Sequence, residues 1–139
     1  MSPMIQLVLA SHGQLAAALA DTARMIVGQK QPVHTLSLVP GMGPEEIATK
    51  LLAIVEGAPS GSEFLVLMDL FGGSPSTVCA QIMAEDPRIE IVTGVNLPML
   101  LEVLLGMEAL TLKDLARLAR EKGKEGIIDI RQALDSFDP

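Results

Sequence analysis

Two kinds of hydrophobic pattern alternate along the chain. Residues 4–10, 33–39, 64–69 and 89–93 are short, largely apolar runs. The first is apolar almost throughout, as expected of a strand buried on both faces of a parallel sheet. Between the runs the apolar positions recur with helical spacing. Leu15, Leu19, Thr22 and Ile26 predict a helix over 14–27, stopped by Gly28. Pro44 suits a first helical turn, with Glu45 and Glu46 near its positive end, and Ile47, Leu51, Ile54 and Val55 form its apolar stripe. Ser74 and Pro75 read as the N-cap and first residue of a helix through Val78, Ile82 and Met83 to about Ala84, ended by Asp86-Pro87. A short helix over 96–105 closes on Gly106. An amphipathic one over 112–122 turns Leu112, Leu115 and Leu118 inward. Residues 126–130, Gly-Ile-Ile-Asp-Ile, read as one more short strand.

Strands alternating with helices predict an α/β fold: a mostly parallel sheet, covered on both faces, with right-handed crossovers. Ligands of such sheets bind beyond the carboxyl ends of the strands, where the strand order reverses. Two strand ends carry chemistry. The first run ends in Ser11-His12-Gly13 and the third in Asp69. Adjacent first and third strands at the reversal would put His12 and Asp69 in one crevice.

Composition narrows the classes. The chain has 139 residues, which fits one domain over 1–139, and 49% of them are hydrophobic. With three Phe, no Tyr and no Trp, the core is aliphatic and stacking on bases or sugar rings is disfavoured. Eight Met serve as gap fillers. A net charge of −7 argues against nucleic acid and favours a basic protein partner. The single Cys79 cannot form an internal disulfide, which suits a reducing cytoplasm, and it falls on a predicted buried stripe. The start lacks the basic region of a signal peptide. The longest apolar stretch, 97–105, is interrupted by Pro98 and Glu102, short of the ~20 residues that span a bilayer. No Cys/His cluster suggests a metal, and no Gly-x-x-x-x-Gly-Lys-Ser/Thr or Gly-x-Gly-x-x-Gly loop suggests a nucleotide, so no cofactor is expected.

The residues that remain permit phosphoryl chemistry. A neutral imidazole nitrogen is a nucleophile near pH 7. A carboxylate on the other ring nitrogen fixes the tautomer and turns the free nitrogen outward. Asp69 is the candidate for that role. The Gly72-Gly73-Ser74-Pro75 turn offers close backbone approach, free N–H groups at a helix start and a hydroxyl. Each element also has a plainer reading: a satisfied strand-end histidine, a local cap, an ordinary helix N-terminus. His34, early in the second strand, reads as structural or surface.

Three motifs in order, Ser11-His12-Gly13, Asp69-Leu70-Phe71-Gly72-Gly73-Ser74-Pro75 and Gly94-Val95-Asn96-Leu97-Pro98-Met99-Leu100, resemble the mannose-class enzyme IIA of the bacterial phosphoenolpyruvate-dependent sugar phosphotransferase system. The likeness spans nearly the whole chain. It implies a cytoplasmic homodimer in which a final antiparallel strand, residues 126–130 here, is exchanged between subunits; a sheet edge has free N–H and C=O groups for such a strand. It implies that His12 is phosphorylated by phospho-HPr, that Asp69 orients it, and that Ser74, with the backbone of Gly72 and Gly73, lines the phosphoryl site. His12 would then pass the group to a IIB component, and the membrane would be reached only through IIC and IID. Many relatives carry IIB fused behind IIA. This chain ends at Pro139, so the resemblance implies a separate IIB. Family members often have a hydroxyl residue and then Trp after the aspartate, where this chain has Leu70 and Phe71. Other readings are the phosphoryl-transfer subunit of a dihydroxyacetone kinase system, a IIA-like regulatory sensor, and a flavodoxin-shaped small-ligand binder.

Overall fold

The computed structural model describes residues 4–28 and 31–136. The first three residues, part of the start read above as lacking a basic leader, lie outside them, as does the end of the tail. Four strands form one sheet: β1 (Ile5–His12), β2 (Val33–Leu38), β3 (Glu63–Met68) and β4 (Ile89–Thr93), in the order β2-β1-β3-β4. All three pairings are parallel. Ala10 lies beside both Leu36 and Met68, so β1 and β3 are neighbours. From β1 the chain first steps outward to β2, then returns across β1 to β3 and β4. The reversal therefore falls between β1 and β3, and the carboxyl ends of these strands are where ligands of such sheets bind.

Alternation along β1 divides the core. Leu7 and Leu9 face α1 (Leu15–Val27), α4 (Leu97–Gly106) and α5 (Leu112–Glu125). Val8 and Ala10 face α2 (Pro44–Gly57) and α3 (Gly73–Glu85). Successive side chains of a strand point to opposite faces, so an unbroken apolar run is what a doubly covered strand requires. Leu7, Val8, Leu65, Val66 and Leu67 are completely buried, each contributing about 1.5–3 kcal/mol of transfer free energy. Cys79 is buried in the α2/α3 layer, and burial pushes its thiol pKa up. It is a core residue, as its position on the stripe predicts.

Two expectations change. The face of α1 that packs on the sheet is Ala16, Ala20 and Ala23, while Leu15 and Ile26 are exposed. Small side chains let this helix lie close to the strands, and the larger ones are left at its flanks. The strand expected over 126–130 is not formed. Residues 127–129 have no regular structure, the Ile127 N–H donating to the Lys124 carbonyl at 3.2 Å, and a short helix, α6 (Ile130–Ser136), follows. Three apolar residues in a run of five do not distinguish a strand from a helix entry, and a strand needs a neighbouring edge to pair with.

The third motif has a structural use. Asn96 caps α4 by accepting from the Met99 N–H at 3.0 Å, and its side-chain amide donates to the Gly123 carbonyl at 2.9 Å. One side chain thus starts α4 and ties down the end of α5. A side chain at Gly126 would meet Pro98 at 2.4 Å, so the two helices close on each other only with glycine there.

Candidate functional site at the end of β1 and β3

His12 is the last residue of β1, and Asp69 is the first after β3. The Asp69 N–H still donates to the Ala10 carbonyl at 3.2 Å, which continues the ladder and carries the carboxylate to the level of His12. One carboxylate oxygen, Oδ2, then accepts twice from His12: from its backbone N–H at 2.9 Å and from ring Nδ1 at 2.9 Å. The other, Oδ1, accepts from the Leu70 N–H at 2.9 Å. The two residues that sequence reasoning placed in one crevice are in direct contact.

The electrostatics fix the ring. Burial pushes the Asp69 pKa up, but the His12 backbone N–H, the His12 side chain and the Leu70 N–H outweigh it, and the carboxyl is held below its ordinary value. An ionised carboxylate is an acceptor only. Nδ1 is therefore the donor, so in the neutral imidazole the lone pair lies on Nε2. The His12 side chain is 53% exposed and that of Asp69 12%. The acid is sheltered while the ring stands at the surface, where another protein can reach it.

Ser11, just before the histidine, is fully buried on the α1 side of β1. Its hydroxyl accepts from the Ala16 N–H at 2.7 Å, satisfying one of the donors left free at the start of α1. The Gly13 N–H donates to the Leu38 carbonyl at 3.0 Å. The turn after His12 is thus held from both sides.

At the start of α3 the geometry departs from the sequence reading. The N-cap position is Gly72 rather than Ser74, and Pro75 is the third residue of the helix rather than the first. Gly72 and Gly73 have φ of 136° and 78°, values that side chains rarely adopt. Ser74 is exposed. The expectation that both glycine N–H groups are open to a ligand also changes, because that of Gly72 donates to the Ser76 hydroxyl at 2.8 Å. Gly73 and Ser74 carry the N–H groups left without a partner inside the helix, and Pro75 has none. Sequence reasoning quoted Ser11 in its motif without giving it a role and passed over Ser76: such a serine is unremarkable until the turn it fastens is known.

A crevice of about 440 Å³ adjoins His12, walled by Val39, Pro40, Met42, Ile47 and Pro75. Its lining is almost wholly apolar, and Pro75 brings the first turn of α3 to the same opening as the imidazole. Leu70 and Phe71, which follow Asp69 in the chain, are exposed, Phe71 with 72% of its surface, and Phe71 borders a separate hollow with Met68, Ser76 and Met83. His34 lies at the opposite end of the sheet, near the start of β2, where its Nε2 pairs with Gln6 Oε1 at 3.0 Å. It has a structural partner, as expected. Among the described residues no helix is long and apolar enough to cross a membrane.

Comparison with known proteins gives the family. The model for EIIA-man, described as "PTS system fructose IIA component", matches residues 6–119. The fructose-specific EIIA component of Bacillus subtilis is 38% identical over 112 residues, covering 81% of this chain and 77% of that protein. The sorbose-specific EIIA component of Klebsiella pneumoniae is 32% identical over 114 residues, covering 82% and 83%. The mannose-specific EIIAB component of Escherichia coli is 33% identical over 124 residues, 88% of this chain but only 38% of that longer protein. Among solved structures, the mannose/sorbose-specific IIA subunit from Enterococcus faecalis superposes with a TM-score of 0.80 at 30% identity, covering 93% of this chain and 95% of that one. A similar fold, with a TM-score of 0.83 at 27% identity, is found in the EIIA component from Streptococcus agalactiae, covering 93% and 99%. This chain belongs to the EIIA-man family, the mannose-class IIA phosphocarriers of the sugar phosphotransferase system.

Proposed function

We propose that the chain is a single IIA domain over 1–139 and that His12 is its phosphoryl acceptor. The group arrives from phospho-HPr and leaves to a IIB component. The observation that carries this reading is the double acceptance by Asp69 Oδ2 from the His12 backbone and ring. It supports a ring whose Nε2 lone pair faces a docking partner. In the step, Nε2 attacks the phosphorus of the donor's phosphohistidine. The N–P bond on the donor breaks as the new one forms, and the donor imidazole leaves with that electron pair. The Nδ1 proton stays between ring and carboxylate. The charge that the ring gains is opposed by Asp69. The phosphoryl oxygens are received by the N–H groups of Gly73 and Ser74 and by the Ser74 hydroxyl, at the positive end of α3. Leu70 brings no hydroxyl, which leaves more of that task to the backbone.

The crevice beside His12 is apolar, lacking the polar groups that would read sugar hydroxyls. Relatives act in fructose, mannose and sorbose systems. Both facts fit a carrier that touches proteins and never the sugar, in the cytoplasm, with IIC and IID as the membrane components. The exposed Ile127, Ile128, Ile130 and Leu134 fit a homodimer in which this segment pairs with a partner subunit.

Incubation with phosphoenolpyruvate, enzyme I and HPr should add the mass of one phosphoryl group, labile in acid. His12→Ala should abolish the addition. Undiminished labelling of His12→Ala would refute the assignment.

A further inference from the structure

We infer that Ser76 is a positioning residue for phosphoryl transfer, acting through the Gly72-Gly73 turn. The inference rests on the reading of His12 as the acceptor. Ser76 is 3% exposed and sits one turn into α3. Its Oγ accepts from the Gly72 N–H at 2.8 Å and donates to the Gly73 carbonyl at 3.3 Å. A second hydroxyl, Thr77 Oγ1, donates to the same carbonyl at 3.0 Å.

Two adjacent glycines at positive φ form the loosest kind of backbone, because glycine visits many conformations at little cost. Here one buried hydroxyl bonds to both of them. It removes the Gly72 N–H from the set of open donors and holds the peptide planes on both sides of the Gly72–Gly73 unit: Phe71–Gly72 through its N–H, and Gly73–Ser74, which carries the Ser74 N–H, through its carbonyl. Pro75, with its constrained φ and no N–H, limits the turn from the other side. The result is a pair of donors set in place before any phosphoryl group arrives. Donors already oriented for developing charge need not reorganise during the reaction, so such sites gain rate rather than fold stability. Thr77 alone cannot replace Ser76, since its hydroxyl reaches Gly73 and leaves the Gly72 N–H without a partner.

The test compares wild type, Ser76→Ala, Ser76→Thr and His12→Ala in HPr-driven transfer. Ser76→Ala should lower the maximal transfer rate by about ten- to a hundredfold, with the HPr concentration at half-maximal rate within twofold of wild type. Amide exchange at Gly72, read by NMR, should become fast. The shifts of the Gly73 and Ser74 amides on phosphorylation should shrink. Ser76→Thr keeps the hydroxyl and should recover most of the rate. Transfer by Ser76→Ala within twofold of wild type would overturn the inference. So would amide shifts on phosphorylation that match wild type, which can be read whether or not Ser76→Thr folds. If His12→Ala loses its label while Ser76→Ala transfers normally, only the positioning role fails. If His12→Ala is still labelled, the parent reading fails and takes this inference with it.

Discussion

Asp69 does two jobs with one oxygen. Oδ2 holds the His12 backbone N–H, which sets where the residue leaves the strand, and Nδ1, which sets how the ring turns. Asp69→Asn keeps the shape but loses the charge and the strict acceptor character. On the proposed chemistry it should slow transfer by about two to four orders of magnitude while the circular dichroism spectrum is retained; a wild-type rate would remove the orienting role. The same pair links stability to pH. The folded-state pKa of Asp69 is depressed. Its ionised form therefore stabilises the fold above the ordinary carboxylate value of about 3.9, and this contribution is lost as the pH falls through the lower folded-state value. Urea titrations should show Asp69→Asn less stable than wild type at neutral pH, with the gap closing in acid.

At the scale of elements, helix starts do much of the positioning, and three of them use side chains from different places. Ser11 serves α1 from the preceding strand, Asn96 serves α4 from its own N-cap, and Ser76 fastens α3 from inside the helix. Asn96→Ala removes both the cap and the tie to Gly123, and should cost about 2 kcal/mol in denaturant unfolding. A loss below about 0.5 kcal/mol would mean that the tie carries little. These devices also mark the limit of what was legible in the chain. The four strands of the sheet, their parallel pairing and the meeting of His12 with Asp69 could be read, because buried runs ending on polar residues leave few alternatives, whereas the run at 126–130, with no buried flanks, was misread as a strand. The inner face of α1 could not. Spacing favours Leu15 and Ile26 over Ala16, Ala20 and Ala23, and only the closeness of sheet and helix selects the alanines. The start of α3 was placed two residues late, since Ser-Pro suits a cap and first turn equally well at the second and third helical positions. The role of Ser76 depends on glycine dihedrals that no periodicity records.

For the whole molecule, the β4 edge of a four-stranded sheet and the exposed isoleucines after α5 belong to the same question. Ile128→Glu places a charge on that apolar segment, and on the proposed dimer it should shift sedimentation equilibrium toward monomer; an unchanged oligomeric state would exclude the segment from the interface. Phe71 brings a different consequence. It stands 72% exposed two residues after Asp69, in a chain with neither Trp nor Tyr. The protein is consequently almost dark in the near ultraviolet. Phe71→Trp would set its sole indole emitter in the exposed segment that follows Asp69, so that each encounter with a carrier could be followed in real time by light from one position.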